Sequence, residues 1–145
     1  MRSVNWGRVI LGGIVAGIVV NVSETLLNAV VLRRQNEEMM RALGKTMPVS
    51  GAAMAVWMLW GVLFGIAAVW LYAAIRPRYG AGPATAVKAG IAAWFLAHLL
   101  GLIAQVNMGF LTAGMVFLPL VWTLVESILA TLAGGWVYKE AGREV

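Results

Sequence analysis

The chain has no cysteine. That excludes disulfides, thiolate metal sites, cysteine nucleophiles and haem attached through a CxxCH motif, and it leaves the redox compartment unreadable. Charge is scarce as well: only 12% of residues are charged against 61% hydrophobic, with a mean hydropathy of +0.85. Such a balance does not keep a soluble domain in water, and it marks a membrane protein. No nucleophile elbow, HExxH, CxxC, P-loop or paired-acid hydrolase motif occurs, so no catalytic residue is assigned and an enzyme is not expected. Gly12-Gly13 and Gly134-Gly135 do not sit between a strand and a helix, which makes them packing features and not phosphate loops. No nucleic-acid motif accompanies the net charge of +5. The basic residues lie at the ends of apolar runs, where they meet lipid phosphate.

Four long apolar runs are present, about 8–32, 52–75, 88–107 and 115–138. Each matches the roughly 20 helical residues that cross a hydrocarbon core. The runs do not alternate in polarity, so a transmembrane barrel is excluded. The expected fold is all-α: one polytopic membrane domain over 1–145, a bundle of four transmembrane helices. The first run follows Arg2 and Arg8, yet it is too long for a signal peptide, contains a glutamate and lacks a small-residue cleavage site, so it is read as retained.

Lys and Arg set the orientation. With the N-terminus inside, Arg2, Arg8, Arg76, Arg78, Lys88, Lys139 and Arg143 share that side, seven residues against the four of Arg33, Arg34, Arg41 and Lys45. The excess favours both termini in the cytoplasm. Trp6, Trp70, Tyr72, Tyr79, Trp136 and Tyr138 fit an inner aromatic belt, and Trp57 and Trp122 an outer one.

The longest connection, 33–51, reads as a surface segment. Glu37 and Arg41 stand at i,i+4, Met39, Met40 and Leu43 supply apolar contacts, and Gly44 is placed to close a short helix. Pro77, Gly80, Gly82 and Pro83 are expected to stop helix two and restart the chain. Pro119 suits an early helical position in the last span. An offset of 77 residues places Gly13 on Gly90, Asn21 on His98 and Asn28 on Gln105; an offset of 66 places Trp70 on Trp136 and Tyr72 on Tyr138. A duplicated two-helix hairpin would produce this pattern, although chance matches are easy in Gly/Ala/Val-rich sequence.

Polar residues inside the spans carry the functional signal. Gly13, Gly17, Asn21, Glu24 and Asn28 share one face of helix one, and Gly90, Trp94, His98, Gly101 and Gln105 one face of helix three. Helix four adds Glu126 and Ser127 ahead of Ala130, Ala133 and Gly134. At 1.5 Å per residue, Glu24 lies about 12 Å, His98 about 14 Å and Glu126 about 10 Å from the outer ends of their helices, a single layer. No Lys or Arg inside the spans can pair with either glutamate. Each acid is therefore expected to be protonated, hydrogen-bonded, hydrated or facing a cation. The candidate ligand- or ion-binding residues are Asn21, Glu24, Asn28, His98, Gln105 and Glu126. A metal site would want further donors than these, supplied only by symmetry in an oligomer, and neither metal nor cofactor is assigned.

The order of parts, a polar first helix, the segment MMRALG (Met39 to Gly44) and three further spans ending in ESILATLAGGWVY (Glu126 to Tyr138), resembles small bacterial integral-membrane proteins of a domain-of-unknown-function type. The resemblance implies a four-helix protein of the bacterial inner membrane and brings no assigned activity or site residue. Two functional readings follow from the residues. One is a homo-oligomer that binds or moves a cation, a proton or a small amphipathic solute through the Glu/His/Asn layer. The other is a structural or accessory subunit of a larger membrane partner, whose polar layer fixes helix packing.

Overall fold

The computed structural model describes residues 4–45 and 50–140. Among them there is no strand, and four helices are long and apolar enough to cross a membrane: Trp6–Val31, Gly51–Tyr79, Pro83–Asn107 and Ala113–Val137. The protein is an all-α membrane protein, and the four spans form a bundle. Arg2 and Arg143, counted in the charge balance, and positions 46–49 of the long connection lie outside the described residues.

The first span begins as α1 (Trp6–Leu26). Asn5 caps it, its side-chain oxygen accepting from Arg8 N at 3.2 Å, which satisfies one of the amides that a helix start leaves free. The span ends in a π-helical segment, Leu27–Val31, where Leu32 N donates to Leu27 O at 2.7 Å. Next comes the surface helix α2 (Arg33–Ala42). Gly44 closes it with φ of 68°, while Lys45 N donates back to Met40 O at 2.9 Å; a left-handed glycine is the usual way to satisfy such carbonyls. Its ion pairs are Arg33–Glu37 and Arg34–Glu38, each at 2.9 Å. They replace the expected Glu37–Arg41 pair, because the helix starts early enough to give both acids an arginine one turn before them.

α3 (Gly51–Tyr79) is capped by Ser50. It runs through Pro77, contrary to the expectation that this proline stops it. Only the last turn lies beyond Pro77, so a single amide bond is lost, and the stop comes at Gly80, φ 84°. α4 (Pro83–Trp94) has Pro83 in its first turn and so starts before the expected position 88. A second π-helical segment, Phe95–Leu99, joins it to α5 (Leu100–Asn107) within one continuous span. α6 (Ala113–Val137) is capped by Thr112. Pro119 therefore sits inside α6 and not at its start. The carbonyl four residues back, Met115 O, loses its amide partner and accepts instead from Gln35 Nε2 on α2 at 3.5 Å.

Around the bundle, α1 packs on α3 and α6, α4 packs on the same two helices, and α3 and α6 also meet across the diagonal. Glycines set these distances. A Cβ on Gly13 would stand 2.5 Å from Ile66 Cα, one on Gly17 2.6 Å from Val62 Cα, and one on Gly65 would strike Gly13 O. On the next interface a Cβ on Gly12 would come within 2.5 Å of Gly134 O, and one on Gly90 within 2.8 Å of Ser127 O. Lipid is as apolar as the side chains, so such backbone contact supplies the attraction that burial supplies in water. Gly13 and Gly90 thus each press on the second helix of their own hairpin. Gly90 meets Ile128, however, where the 66-residue offset of Ile66 would require Leu132. The two hairpins pack about one helical turn out of register.

At the end of the bundle where α1 begins and α6 ends, Trp6, Trp70, Tyr79 and the 86%-exposed Trp136 point outward as a belt should. Tyr72 and Tyr138 do not: both are buried, meeting edge to face with centroids 6.0 Å apart. Arg76 lies over both rings, at 6.0 and 5.6 Å from their centroids, and pairs with Glu140 at 3.6 Å. Each phenol oxygen accepts from a backbone amide, Gly82 N at 3.3 Å for Tyr72 and Asn5 N at 3.4 Å for Tyr138. These contacts explain the burial: a tyrosine whose hydroxyl finds a donor no longer needs the interface.

Candidate functional site

Glu126 is the most enclosed acid of the bundle. It is 3% exposed, and among the described residues neither carboxyl oxygen has a well-formed hydrogen bond, the Ser23 hydroxyl being the group near enough to offer one. It lies beside Ser23 and interacts electrostatically with Glu24. The acids of the first and last spans are thus brought together, across the α1–α6 interface whose spacing Gly12 and Gly134 permit. Glu24 is half-buried and better provided for, because its Oε2 accepts from Asn28 Nδ2 at 2.7 Å. The same Asn28 nitrogen also reaches Glu24 O at 3.0 Å. In turn Asn36 Nδ2, on α2, donates to both Asn28 O and Asn28 Oδ1 at 3.2 Å.

The other candidates are placed differently. Asn21 Nδ2 donates to Met58 O at 3.0 Å, and its amide fills the space that a side chain on Gly61 would need. Asn21 is a clamp between α1 and α3. Interhelical bonds of this kind contribute about 0.6 and at most about 1.7 kcal/mol in membranes. Asn21→Ala is therefore expected to lower bundle stability within that range, as read from unfolding in mixed micelles. His98 stands apart from both acids. Its ring packs edge-on against Trp60 at 5.5 Å and Phe64 at 5.4 Å, and its Nε2 is buried without a partner. Gln105 is exposed on α5; its backbone carbonyl closes the following turn, accepting from Phe110 N at 3.0 Å.

Two residues that the periodicity did not single out, Trp122 and Ser23, complete the site. Trp122, expected in a belt, instead turns inward, and its Nε1 donates to Ser23 Oγ at 2.9 Å. With that bond accepted, Ser23 has its own hydroxyl proton to offer Glu126, beside which it lies. Trp122 precedes Glu126 by four residues, one helical turn, a spacing visible in the sequence once the two are known to share a face. Trp94, also half-buried, donates to Leu120 O and Thr123 Oγ1, both at 3.2 Å, which fixes α4 against α6.

Among the described residues no ion pair joins a basic side chain to Glu24 or Glu126. Lys88 falls within α4, but its ammonium reaches toward the end where α1 begins and α6 ends and sits 4.5 Å from the Tyr79 ring centroid. Among the described residues no three His, Cys, Asp or Glu side chains converge as a metal cluster would require. Near α2, an apolar groove of about 370 Å³ runs between α5 and the start of α6, walled by Ile103, Val106, Val116 and Leu120. It contains neither acid.

Fold and site together define a small four-span helical membrane protein with one carboxyl, Glu126, buried in its bundle and a second, Glu24, half-buried within its electrostatic reach. No family model, curated protein or solved structure matches the chain.

Proposed function

We propose that this protein binds and exchanges a proton or a small cation at the Glu24–Glu126 pair. One observation carries the reading: Glu126 is a carboxyl enclosed at 3% exposure, with no well-formed hydrogen bond to either oxygen among the described residues beyond what Ser23 can offer, and with a second carboxyl as its electrostatic neighbour. A carboxylate left that way in a low-dielectric interior is costly unless it holds a proton or a cation. A group serving only as a clamp would be expected to make the hydrogen bonds that Asn21 makes. Ser23, with a hydroxyl proton to give, and Asn28, bonded to Glu24, orient the pair. The bacterial inner membrane, cytoplasmic termini and assembly into a homo-oligomer belong to the same proposal, since four helices leave little room for a pathway within one copy.

Reconstitution into liposomes tests it. Glu126→Gln and Glu24→Gln are expected to reduce proton or cation flux to that of protein-free liposomes, while the purified variants keep the elution volume of the parent. Full flux in both variants would overturn the proposal and leave the accessory-subunit reading.

A further inference from the structure

We infer that Asn36, Asn28 and Glu24 form the entry to Glu126, opening only on the face of the membrane that carries α2. The inference rests on the exchange reading above and adds to it a direction and a role for the surface helix. Four amides and carboxyls stand in sequence. Asn36 Nδ2 bonds Asn28 at 3.2 Å, Asn28 Nδ2 bonds Glu24 Oε2 at 2.7 Å, and the Trp122–Ser23 bond at 2.9 Å ties the turn of α1 that carries Glu24 to the turn of α6 that carries Glu126. Exposure falls along the inner part of this route: Asn28 is exposed, Glu24 half-buried and Glu126 buried. Asn28 belongs to the π-helical segment Leu27–Val31. Such an insertion displaces side chains from the α-helical register, and it recurs where a helix serves a function.

α2 is held over this entry by two attachments. Leu32 is buried at its root, and Gln35 takes the Met115 carbonyl that Pro119 leaves without an amide. Its two arginine–glutamate pairs remain on exposed side chains.

In the opposite direction the bundle is shut. Below Glu126, Ala130 and Thr131 are fully buried, as are Ala16 and Val20 on the facing stretch of α1. Thr131 turns its hydroxyl back onto Ser127 O at 2.7 Å, and Gly134 lies against Gly12. The Tyr72–Tyr138–Arg76 cluster then closes the end. Among the described residues no chain of side-chain hydrogen bonds crosses this region, so water and a hydrophilic ion have an approach from the α2 face alone.

The test uses the wild-type chain in sealed vesicles, with orientation read from thiol labelling of an Arg34→Cys variant in the otherwise cysteine-free protein. A membrane-impermeant carbodiimide with an amine nucleophile is added to one side, and modification of Glu24 is read by mass spectrometry. Glu24 is expected to be modified from the α2 face and not from the other, and Asn28→Leu, similar in size without the amide, is expected to abolish that modification. Labelling from the opposite face, labelling from neither face, or labelling unchanged in Asn28→Leu would each overturn the inference. A single-cysteine Glu24→Cys chain probed with an impermeant thiosulfonate gives the same reading independently of carboxyl reactivity. The flux assay stays separate. Flux that ignores Glu126 with one-sided labelling removes the exchange reading alone, whereas Glu126-dependent flux with labelling from the wrong face removes only the route.

Discussion

Glu126→Leu is expected to make the bundle more stable and to abolish exchange. The parent carboxyl is buried, and among the described residues it has no well-formed hydrogen bond, only Ser23 lying near enough to offer one; a buried polar group so poorly satisfied costs about 1–3 kcal/mol. Leucine is close to glutamate in volume and brings no polar atom, so the packing around Ser127 and Ala130 survives while the penalty goes. Replacing buried charged groups by apolar residues of similar size is often neutral or stabilising for this reason. Unfolding in mixed micelles should therefore shift by about 1–3 kcal/mol in favour of the variant, with flux at the background level. If Glu126 were a structural clamp, the same change would lower stability. The sign of the shift thus separates a residue kept for function from one kept for packing, since natural proteins tolerate such strain mainly where activity needs it.

The second large effect belongs to Gly65. A Cβ there would strike the Gly13 carbonyl oxygen and come within 2.5 Å of Gly17 N. Both obstacles are backbone, so no rotamer change relieves them and α1 and α3 must move apart. Overpacking in a core typically costs about 1–3 kcal/mol and occasionally more. Here the separation also withdraws Gly13 from Ile66 and Gly17 from Val62, and it breaks the Asn21–Met58 bond. Gly65→Val is expected to cost at least about 3 kcal/mol, enough to leave little folded protein in detergent, as measured by size-exclusion chromatography and thermal unfolding. Gly101→Ala provides the control, because nothing lies within 4 Å of a Cβ at that position. It should retain parent stability. Equal losses in both variants would mean that glycine content, and not the α1–α3 contact, governs folding.

The apolar runs announced four spans because a hydrocarbon core filters on hydropathy and length alone, and both are properties of consecutive residues. The single face of Gly13, Gly17, Asn21, Glu24 and Asn28 was equally legible, since a helix repeats its geometry regardless of its neighbours. The glycine part of that face meets α3, and its acid meets α6. Proline positions were less legible. Pro77 and Pro119 both sit inside helices, the first because only the last turn lies beyond it and the second because Gln35 donates to the carbonyl it strands.

Equal depth, by contrast, did not make His98 a partner of the acids: height along a helix says nothing about which way its ring turns, and Trp60 and Phe64 claim it. Nor could spacing reveal that Trp122 faces Ser23 or that Asn36 reaches Asn28, for those pairs lie 99 and 8 residues apart and depend on how helices cross and where a surface helix folds back. Hydropathy and helical period are local, so a linear chain displays them in full. Contact between helices depends on their rotation and separation, and here backbone meeting backbone at Gly12, Gly13, Gly65 and Gly134 sets both.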